Sequence, residues 1–417
     1  MRTSRHATAL LLSCIFLTAC DKSASPSQDP KPLEPGTITL TRAQQEYVKA
    51  TNTFALNISA KVSEDAAKEE KDFIFSPLSV SYLLGMLNNG AAGATGEEIC
   101  RTLGYGDNDR EAINEFCRTF MEQSGTIDET VRLQLANAIV LNRQFAPLKE
   151  AFVKAVKDNY SADVQAMNFQ DGEAVLSHVN GWCSEKTLGM IPKILENVNP
   201  SALAYLMNAI YFKGIWSHKF DRDDTRKENF TREDGSGTQV DMMNITETFF
   251  RWRADAFEAL SMPYGNGSFR MTFFLPGEGK SVGDVIGELT PEVWTEIMQK
   301  SVPSLSAVKV PKFETEYEIT LNDALIGLGM PSAFNGMHAD FSAMTDVPCC
   351  LSFVLQKAKI KVDEEGSEAA AVTIAGLVTS IGPGGDPAPF FLDKPFLYAI
   401  TEGSTGAILF IGSYGAR

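Results

Sequence analysis

Hydrophobic residues recur along this chain at two spacings, a helical one in the first part and a strand-like one from about residue 203 onward. Thr41 is a suitable helix cap, and the helix after it has a one-sided apolar face made of Ala43, Tyr47, Ala50 and Phe54. Residues 73–99 predict a short strand, a Ser-Pro helix start and a buried helix that ends in Gly-rich turns. Strand-like runs dominate the remainder of the chain. This order of elements predicts one α+β domain built on large antiparallel sheets.

The N-terminus has the features of an export signal. Arg2 and Arg5 precede an apolar run over residues 7–19 that is too short to span a bilayer. The four residues 17–20, LTAC, resemble the bacterial lipobox, in which the cysteine becomes the lipidated first residue of the mature protein. An ordinary signal peptide with an incidental cysteine is the alternative.

These features predict three parts of the chain. We expect a lipoprotein signal peptide over residues 1–19, a lipid anchor at Cys20 within a flexible Pro/Ser-rich tether over residues 20–38, and a folded domain over residues 39–417. No other stretch is long and apolar enough to cross a membrane. The expected product is an exported bacterial lipoprotein, held at the outer membrane or cell surface only by its lipid. The periplasmic and extracellular faces both remain open.

Composition and charge narrow the possible partners. The 417 residues are 44% hydrophobic and 22% charged, which is ordinary for a globular domain. The net charge of −16, with no basic run to offset it, argues against nucleic acid and heparin-like polyanions as partners.

The chain carries no recognisable catalytic or metal-binding motif. Three histidines follow the signal segment, His178, His218 and His338, and they are far apart in no ligand pattern. HExxH and CxxC are both absent from the sequence. The five cysteines of the domain have irregular spacing, with Cys349 beside Cys350, so we expect free and mostly buried thiols. We therefore expect neither an enzyme nor a protein that needs a cofactor or a metal.

Several segments, taken together, resemble the serpin family. They are FSPLS at 75–79, VNGWCSEKTLGMI at 179–191, NAIYFKGIWSHKFD at 208–221 and VPKFETEYEITLNDALIGLGMPSAF at 310–334, followed by HADFSAM, DEEGSEAAA and KPFLYAI. They occur in the family's order and spacing over essentially all of residues 39–417. The resemblance implies about nine helices around three β-sheets, with a large central sheet and an exposed reactive-centre loop.

The loop, at about residues 364–389, carries the functional prediction. It is small, β-prone and nearly uncharged up to Ile381, and only then rich in Gly and Pro. In serpins a protease cuts this loop, and the freed part inserts as a new strand of the main sheet. Glu364 and Gly366 lie at its hinge. By the family's register, the residues facing inward after insertion are Ser367, Ala369, Ala371, Thr373, Ala375 and Leu377, and all are small or apolar.

The family's spacing from Glu364 also predicts the reactive bond. It falls at Ser380–Ile381, with Thr379–Ser380 as the alternative. No Lys or Arg occurs between residues 361 and 394. We therefore expect a serine endopeptidase of elastase-like or subtilisin-like specificity, or a papain-like cysteine endopeptidase, to be trapped as an acyl-enzyme. We expect the inhibitor itself to be a monomer.

Two further groups of residues are carried over from the resemblance. The polar cluster beneath the opening sheet, called the sheet-opening cluster below, corresponds to Ser76, Ser79, Asn208 and Gln356. Gln356 stands where the family usually has a histidine. Lys312 and Glu364 correspond to a pair that closes the top of the sheet. Plain structural packing is the alternative for all of them, and a non-inhibitory carrier is the alternative function.

Overall fold

The computed structural model describes residues 34–106, 109–145, 147–367 and 386–415. Nine α-helices lie within these ranges: α1 (Arg42–Lys68), α2 (Pro77–Gly90), α3 (Gly93–Thr102), α4 (Arg110–Ser124), α5 (Glu150–Tyr160), α6 (Gly172–Lys186), α7 (Val282–Glu288), α8 (Pro291–Lys300) and α9 (Asn322–Gly327).

The same ranges contain fifteen strands. They are β1 (Ile74–Phe75), β2 (Val131–Asn142), β3 (Asp163–Met167), β4 (Ala204–Ile215), β5 (Arg226–Thr231), β6 (Gly237–Arg253), β7 (Phe257–Tyr264), β8 (Phe269–Pro276), β9 (Val302–Pro311), β10 (Phe313–Thr320), β11 (Leu355–Asp363), β12 (Gly366–Ser367), β13 (Ala388–Phe391), β14 (Phe396–Glu402) and β15 (Ile408–Tyr414).

The strands form two hydrogen-bonded sheets in the described part of the chain. One has nine strands, in the order β1-β15-β14-β8-β7-β6-β9-β13, with β5 beside β6. The other has six, in the order β10-β11-β12-β4-β2-β3, and is called the gapped sheet below. Three sheets were expected. The number is two because β6 is 17 residues long and pairs in turn with β5, β9 and β7, so that it runs from one expected sheet into the next.

The first helix begins where the sequence predicts. The Thr41 side chain accepts a hydrogen bond from the Gln44 N–H, and the Gln44 side chain caps Thr41 in return. The predicted apolar face is only partly correct, because Ala43 is exposed and the buried stripe includes Asn52. The Asn52 amide donates to the Gly406 carbonyl and accepts from the Ile408 N–H, which makes its burial tolerable.

Helix α2 lies between the two sheets. Ser76 caps its N-terminus by accepting from the Ser79 N–H, and Pro77 occupies the first turn, where no N–H is needed. Nearly every side chain of α2 is buried, and the helix packs against β4 on one side and β15 on the other. It therefore packs against one face of the gapped sheet.

The packed part of the chain begins slightly before the predicted tether ends at residue 38. The Gly36 carbonyl accepts a hydrogen bond from Ser268, and Ile38 is buried with its N–H donating to Ser404. The residues that follow the predicted anchor therefore join the domain at about Gly36, because Ile38 has an apolar site to fill. No helix among the described residues has the length and apolar character needed to span a membrane.

Candidate functional site

The two central strands of the gapped sheet, β4 and β11, do not pair with each other at any described position. Each pairs instead with the two-residue strand β12, which lies between them at one end only. Beyond β12 the two strands flank an interval that no described strand fills. An interval of this kind between two strands of a sheet is a site at which another strand can be added.

Cavities follow this interval along its length. The first is lined by Ile210 and Ile360, the second by Asn208 and Gln356, and the third by residues 202–206 together with residues 349–354. Their walls are mostly apolar. The interval is therefore suited to small and apolar side chains from an added strand.

The register of β12 is defined on both sides. Gly366 pairs with Ile215 and Asp363, while Ser367 pairs with Gly214 and Val362, antiparallel in both cases. An added Cβ at Gly366 would overlap the Gly214 carbonyl oxygen, so only glycine allows the chain to pass this close to β4. The hinge glycine expected from the sequence thus has a steric role.

Ser367, the first residue of the predicted inward set, is already buried in the sheet. Its hydroxyl lies 2.5 Å from the Tyr264 hydroxyl. The Tyr264 ring stacks on Trp216 at 4.3 Å, and the Trp216 indole N–H donates to the Asp363 carbonyl at 3.0 Å. Two aromatic side chains, Tyr264 at the end of β7 and Trp216 directly after β4, therefore fix the position at which the loop enters.

Two adjacent glutamates hold the hinge to the body of the protein. Glu364 is buried and forms an ion pair with Lys312 at 2.9 Å. Its carboxylate also accepts from the Thr225 hydroxyl at 2.9 Å. Glu365 pairs with Lys219 at 2.6 Å and with Arg222 at 3.3 Å. The predicted Lys312–Glu364 pair is thus present in the structure, next to a second pair that the sequence did not indicate.

The pKa of Glu364 lies below its ordinary value of 4.5. Burial acts to raise this pKa, but the hydrogen bonds and charge of Lys312, together with the Thr225 hydroxyl, outweigh it. A lowered folded pKa means that the stability supplied by Glu364 is present above about pH 4.5 and is lost as pH falls through the folded value.

We expect a Lys312→Gln variant to lose the hinge contact at a higher pH than the parent. Removing the ammonium leaves burial as the main influence on Glu364, so its carboxylate takes up a proton more readily. The measurement is the fluorescence of Trp216 during acid titration, isolated by subtracting a Trp216→Phe background. Lys49→Gln, which alters an exposed ion pair on α1, is the control. Superimposable titrations of all three proteins would show that Lys312 does not stabilise the hinge.

The structure brings all four residues of the sheet-opening cluster together. Ser79 donates to the Asn208 carboxamide, and the Ser76 hydroxyl donates to the Leu409 carbonyl at 2.7 Å. Gln356 makes two bonds to the backbone of Ser76, accepting from its N–H at 2.8 Å and donating to its carbonyl at 2.9 Å. Both strands that flank the interval, β4 and β11, are therefore bonded to α2 rather than to each other.

The Gln356 carboxamide makes two hydrogen bonds of opposite direction to one neighbouring residue. A carboxamide both donates and accepts, so one side chain satisfies both backbone groups of Ser76. A carboxamide does not titrate, so this connection between β11 and α2 does not respond to pH.

Replacing Gln356 with alanine should destabilise the intact protein by about 2–3 kcal/mol, because a buried N–H and carbonyl at Ser76 lose a partner. The measurement is the urea dependence of unfolding. Gln299→Ala, at an exposed position of α8, is the matched control and should change stability by less than about 0.5 kcal/mol. Equal effects of the two substitutions would contradict this role for Gln356.

Sequence reasoning missed the residues that hold the hinge from below. The hinge is contacted by Trp216, Tyr264, Lys219 and Thr225, yet nothing in their local sequence indicates a partner more than 100 positions away.

Some of the predicted site residues lie outside the described residues. They are residues 369, 371, 373, 375 and 377 of the inward set, Thr379, Ser380 and Ile381 of the reactive bond, and Cys20. Among the described residues, no group of three or more His, Cys, Asp or Glu side chains could hold a metal ion.

The fold and the entering hinge agree with what comparison with known proteins finds. The family model described as serpin (serine protease inhibitor) matches residues 49–415. Serpin-Z2A of Triticum aestivum is 31% identical over 376 residues, covering 86% of this chain and 93% of the relative. The chain belongs to the serpin family.

Two solved serpin structures resemble this chain over most of its length. The native state of tengpin, a thermophilic serpin, superposes with a TM-score of 0.80 at 28% identity, covering 92% of this chain and 97% of that one. Human thyroxine-binding globulin complexed with thyroxine has a TM-score of 0.79 at 25% identity, covering 89% and 98%. Serpins are generally protease inhibitors rather than catalysts, and this neighbour shows that the fold also serves binding.

Proposed function

We propose that this protein is a suicide-substrate inhibitor of serine endopeptidases, with papain-like cysteine endopeptidases as a second target class. The single observation that carries the proposal is the position of Ser367. It lies buried in register between β4 and β11, at the end of an interval that a longer strand would fill. Insertion then extends an existing strand instead of starting a new one.

The register of β12 supports the predicted inward set. Continued along both neighbours, it pairs Ala369 with Phe212 and Ile360, Ala371 with Ile210 and Ala358, and Thr373 with Asn208 and Gln356. The side chains of these neighbours belong to the inner face of the gapped sheet. A small residue at every second position of the loop therefore suits the space available.

The chemistry belongs to the target protease. Its serine or cysteine attacks the carbonyl carbon of the residue before the cut, and the amine of the following residue leaves, which gives an acyl-enzyme. Insertion of roughly a dozen residues adds about 20 backbone hydrogen bonds, worth on the order of 10–30 kcal/mol. That free energy can displace and distort the attached protease before water hydrolyses the ester. The inhibitor supplies the acyl group and the driving force.

The sequence of the loop supports elastase-like or subtilisin-like targets. Pockets for small or medium side chains accept the Leu-Val-Thr-Ser approach to the predicted cut after Ser380, and trypsin-like pockets lack a basic residue to bind. The test mixes the soluble domain with elastase-like and subtilisin-like proteases and sequences the released fragment. A denaturant-stable band of inhibitor plus protease, with a fragment that starts at Ile381, is the expected result. Cleaved inhibitor with fully active protease would refute trapping.

A carrier function is the second candidate. A cleft of about 490 Å³ opens between α1 and α8, with Lys49, Glu292 and Trp294 among its lining residues. The likeness to thyroxine-binding globulin favours testing it. Saturable quenching of Trp294 fluorescence by thyroxine, abolished in Trp294→Phe, together with a failure to trap proteases, would support the carrier over the inhibitor.

We also propose that Cys20 carries a lipid and that the domain is exported and membrane-anchored. A Cys20→Ser variant should incorporate no radiolabelled palmitate and should leave the membrane fraction, because one residue carries the whole attachment. Cys14→Ser lies within the predicted signal peptide and should leave labelling unchanged. Labelling that persists in the Cys20→Ser variant would contradict the proposal.

A further inference from the structure

The loop is attached to the body of the protein at both ends, and the second attachment is the edge strand β13. In the described part of the chain β13 pairs only with β9, in parallel, from Ala388 opposite Ser306 to Phe391 opposite Lys309. A strand of four residues that is hydrogen-bonded along one edge is only weakly attached. This strand must nevertheless resist the pull of an inserting loop.

The length of the loop limits how far an uncut chain can insert. Ser367 is fixed in the gapped sheet and Ala388 in the other sheet, with the 20 residues 368–387 between them. Each residue that enters the interval advances the chain by about 3.3 Å, and the remaining residues must return over the same distance. With β13 in place, therefore, at most about ten residues can enter. Complete insertion without a cut requires β13 to leave β9.

One buried guanidinium crosses β9 to reach β13. Arg251, on β6, donates to the Ala388 carbonyl at 3.1 Å and to the Pro389 carbonyl at 3.0 Å. It also donates to the Ser306 hydroxyl at 3.4 Å and forms an ion pair with Glu258 at 2.6 Å. The guanidinium of an arginine carries five N–H donors in a planar fork. Arg251 can therefore bond two successive backbone carbonyls and a carboxylate at the same time.

The position of Arg251 makes its bonds strong. Its side chain is 9% exposed, and its guanidinium lies over the Phe390 ring at 5.6 Å. Charge-assisted bonds at a site with little water are among the stronger polar contacts in proteins. Leu392 donates its N–H to the Lys309 carbonyl just beyond the strand, so β13 is tied at its far end as well. Arg251 ties the near end, where peeling by the loop would begin.

We propose that Arg251 is a positioning residue that keeps β13 on β9 and so prevents the uncut loop from inserting completely. The inference rests on the proposed function, since it concerns the same loop and the same interval. Arg251 touches neither the protease nor the reactive bond; it acts by holding the second end of the loop. Its removal should permit slow conversion of the uncut protein into a form whose loop is already in the sheet.

The neighbouring Arg253 provides a matched control. It pairs with the same Glu258 at 3.2 Å, but its side chain is 75% exposed, and no hydrogen bond or ion pair among the described residues joins it to β13. Parent, Arg251→Met and Arg253→Met proteins are incubated uncut at a temperature below unfolding. Samples are taken over time for loop cleavage by an elastase-like protease and for thermal unfolding, with mass spectrometry confirming an intact chain.

We expect Arg251→Met to become resistant to loop cleavage and more heat-stable at least about tenfold faster than the parent, and Arg253→Met to stay within about twofold of it. Freshly purified Arg251→Met should still be cut at the parental rate. Arg251→Lys, which keeps the ion pair with Glu258 but cannot bond both carbonyls, should convert at an intermediate rate and decides the matter if the methionine variant does not fold.

Conversion of Arg251→Met and Arg251→Lys at the parental rate, or equal acceleration in Arg253→Met, would overturn the proposal. So would loss of cleavage that follows unfolding or aggregation without any gain in heat stability. A protein that traps no protease would refute the proposed function, yet loop cleavage and heat stability would still report on Arg251. The two failures are therefore distinguishable.

Discussion

A single glutamate on the inward face of the loop, Ala371→Glu, should turn this inhibitor into a substrate. By the register of β12, residue 371 enters opposite Ile210 and Ala358, whose side chains pack on the main core. An unpaired carboxylate there costs several kcal/mol. Even about 3 kcal/mol added to the insertion barrier slows insertion more than a hundredfold, so hydrolysis of the acyl-enzyme wins.

The adjacent position gives the control. Ala370→Glu carries the same side chain but enters with the opposite orientation, opposite Tyr211 and Lys359. Lys359 already pairs with Glu314 and Glu316 on β10, so a carboxylate at position 370 would have a cation beside it. Denaturant-stable complex should therefore form with Ala370→Glu and be nearly absent with Ala371→Glu, at equal rates of loop cleavage. Equal yields of complex from the two variants would mean that the loop does not insert in this register.

Cleavage of the loop should raise the thermal unfolding temperature by at least about 20 °C. Within the described residues, β4 and β11 have no strand between them beyond β12, and the cut loop would pair with both edges. A gain on the order of 10–30 kcal/mol follows from the new backbone hydrogen bonds. Such a gain moves the unfolding temperature by tens of degrees even in a large domain. The intact state is then maintained by kinetics and not by equilibrium.

The measurement is calorimetry before and after limited proteolysis at the Ser380–Ile381 bond. Ala371→Glu cut at the same bond should gain little, because its loop cannot fill the interval. This pairing separates insertion from the simple effect of a nick. A wild-type protein that melts at one temperature before and after the cut would count against a metastable intact state, and the carrier function would then be favoured.

Local sequence features account for much of this architecture. The capping residues Thr41 and Ser76 mark two helix starts that the structure confirms, since capping depends on side chains within three positions. The exposed position of Ala43 shows the limit of the same reasoning. The buried stripe is displaced by one residue from the predicted face and includes Asn52, whose partners Gly406 and Ile408 are far away in the sequence.

The candidate site was predictable to a similar extent. Ser76, Ser79, Asn208 and Gln356 lie together and Lys312 pairs with Glu364, while the roles that the resemblance implied for them stay predictions. The two hydrogen bonds from Gln356 to the Ser76 backbone were not predictable, because a substitution for the family's usual residue does not indicate what the new side chain will contact. Its geometry depends on how β11 lies over α2.

The sequence by itself indicated the family, and it predicts the position of the loop and the alternation of small residues along it, because each of these depends on neighbouring positions. Only the tertiary structure decided how the two ends of that loop are held. Trp216 reaches Asp363 across 147 positions, and Arg251 reaches Ala388 across 137. Such contacts depend on the register and order of strands within a sheet, which long-range packing sets and no short window of sequence contains.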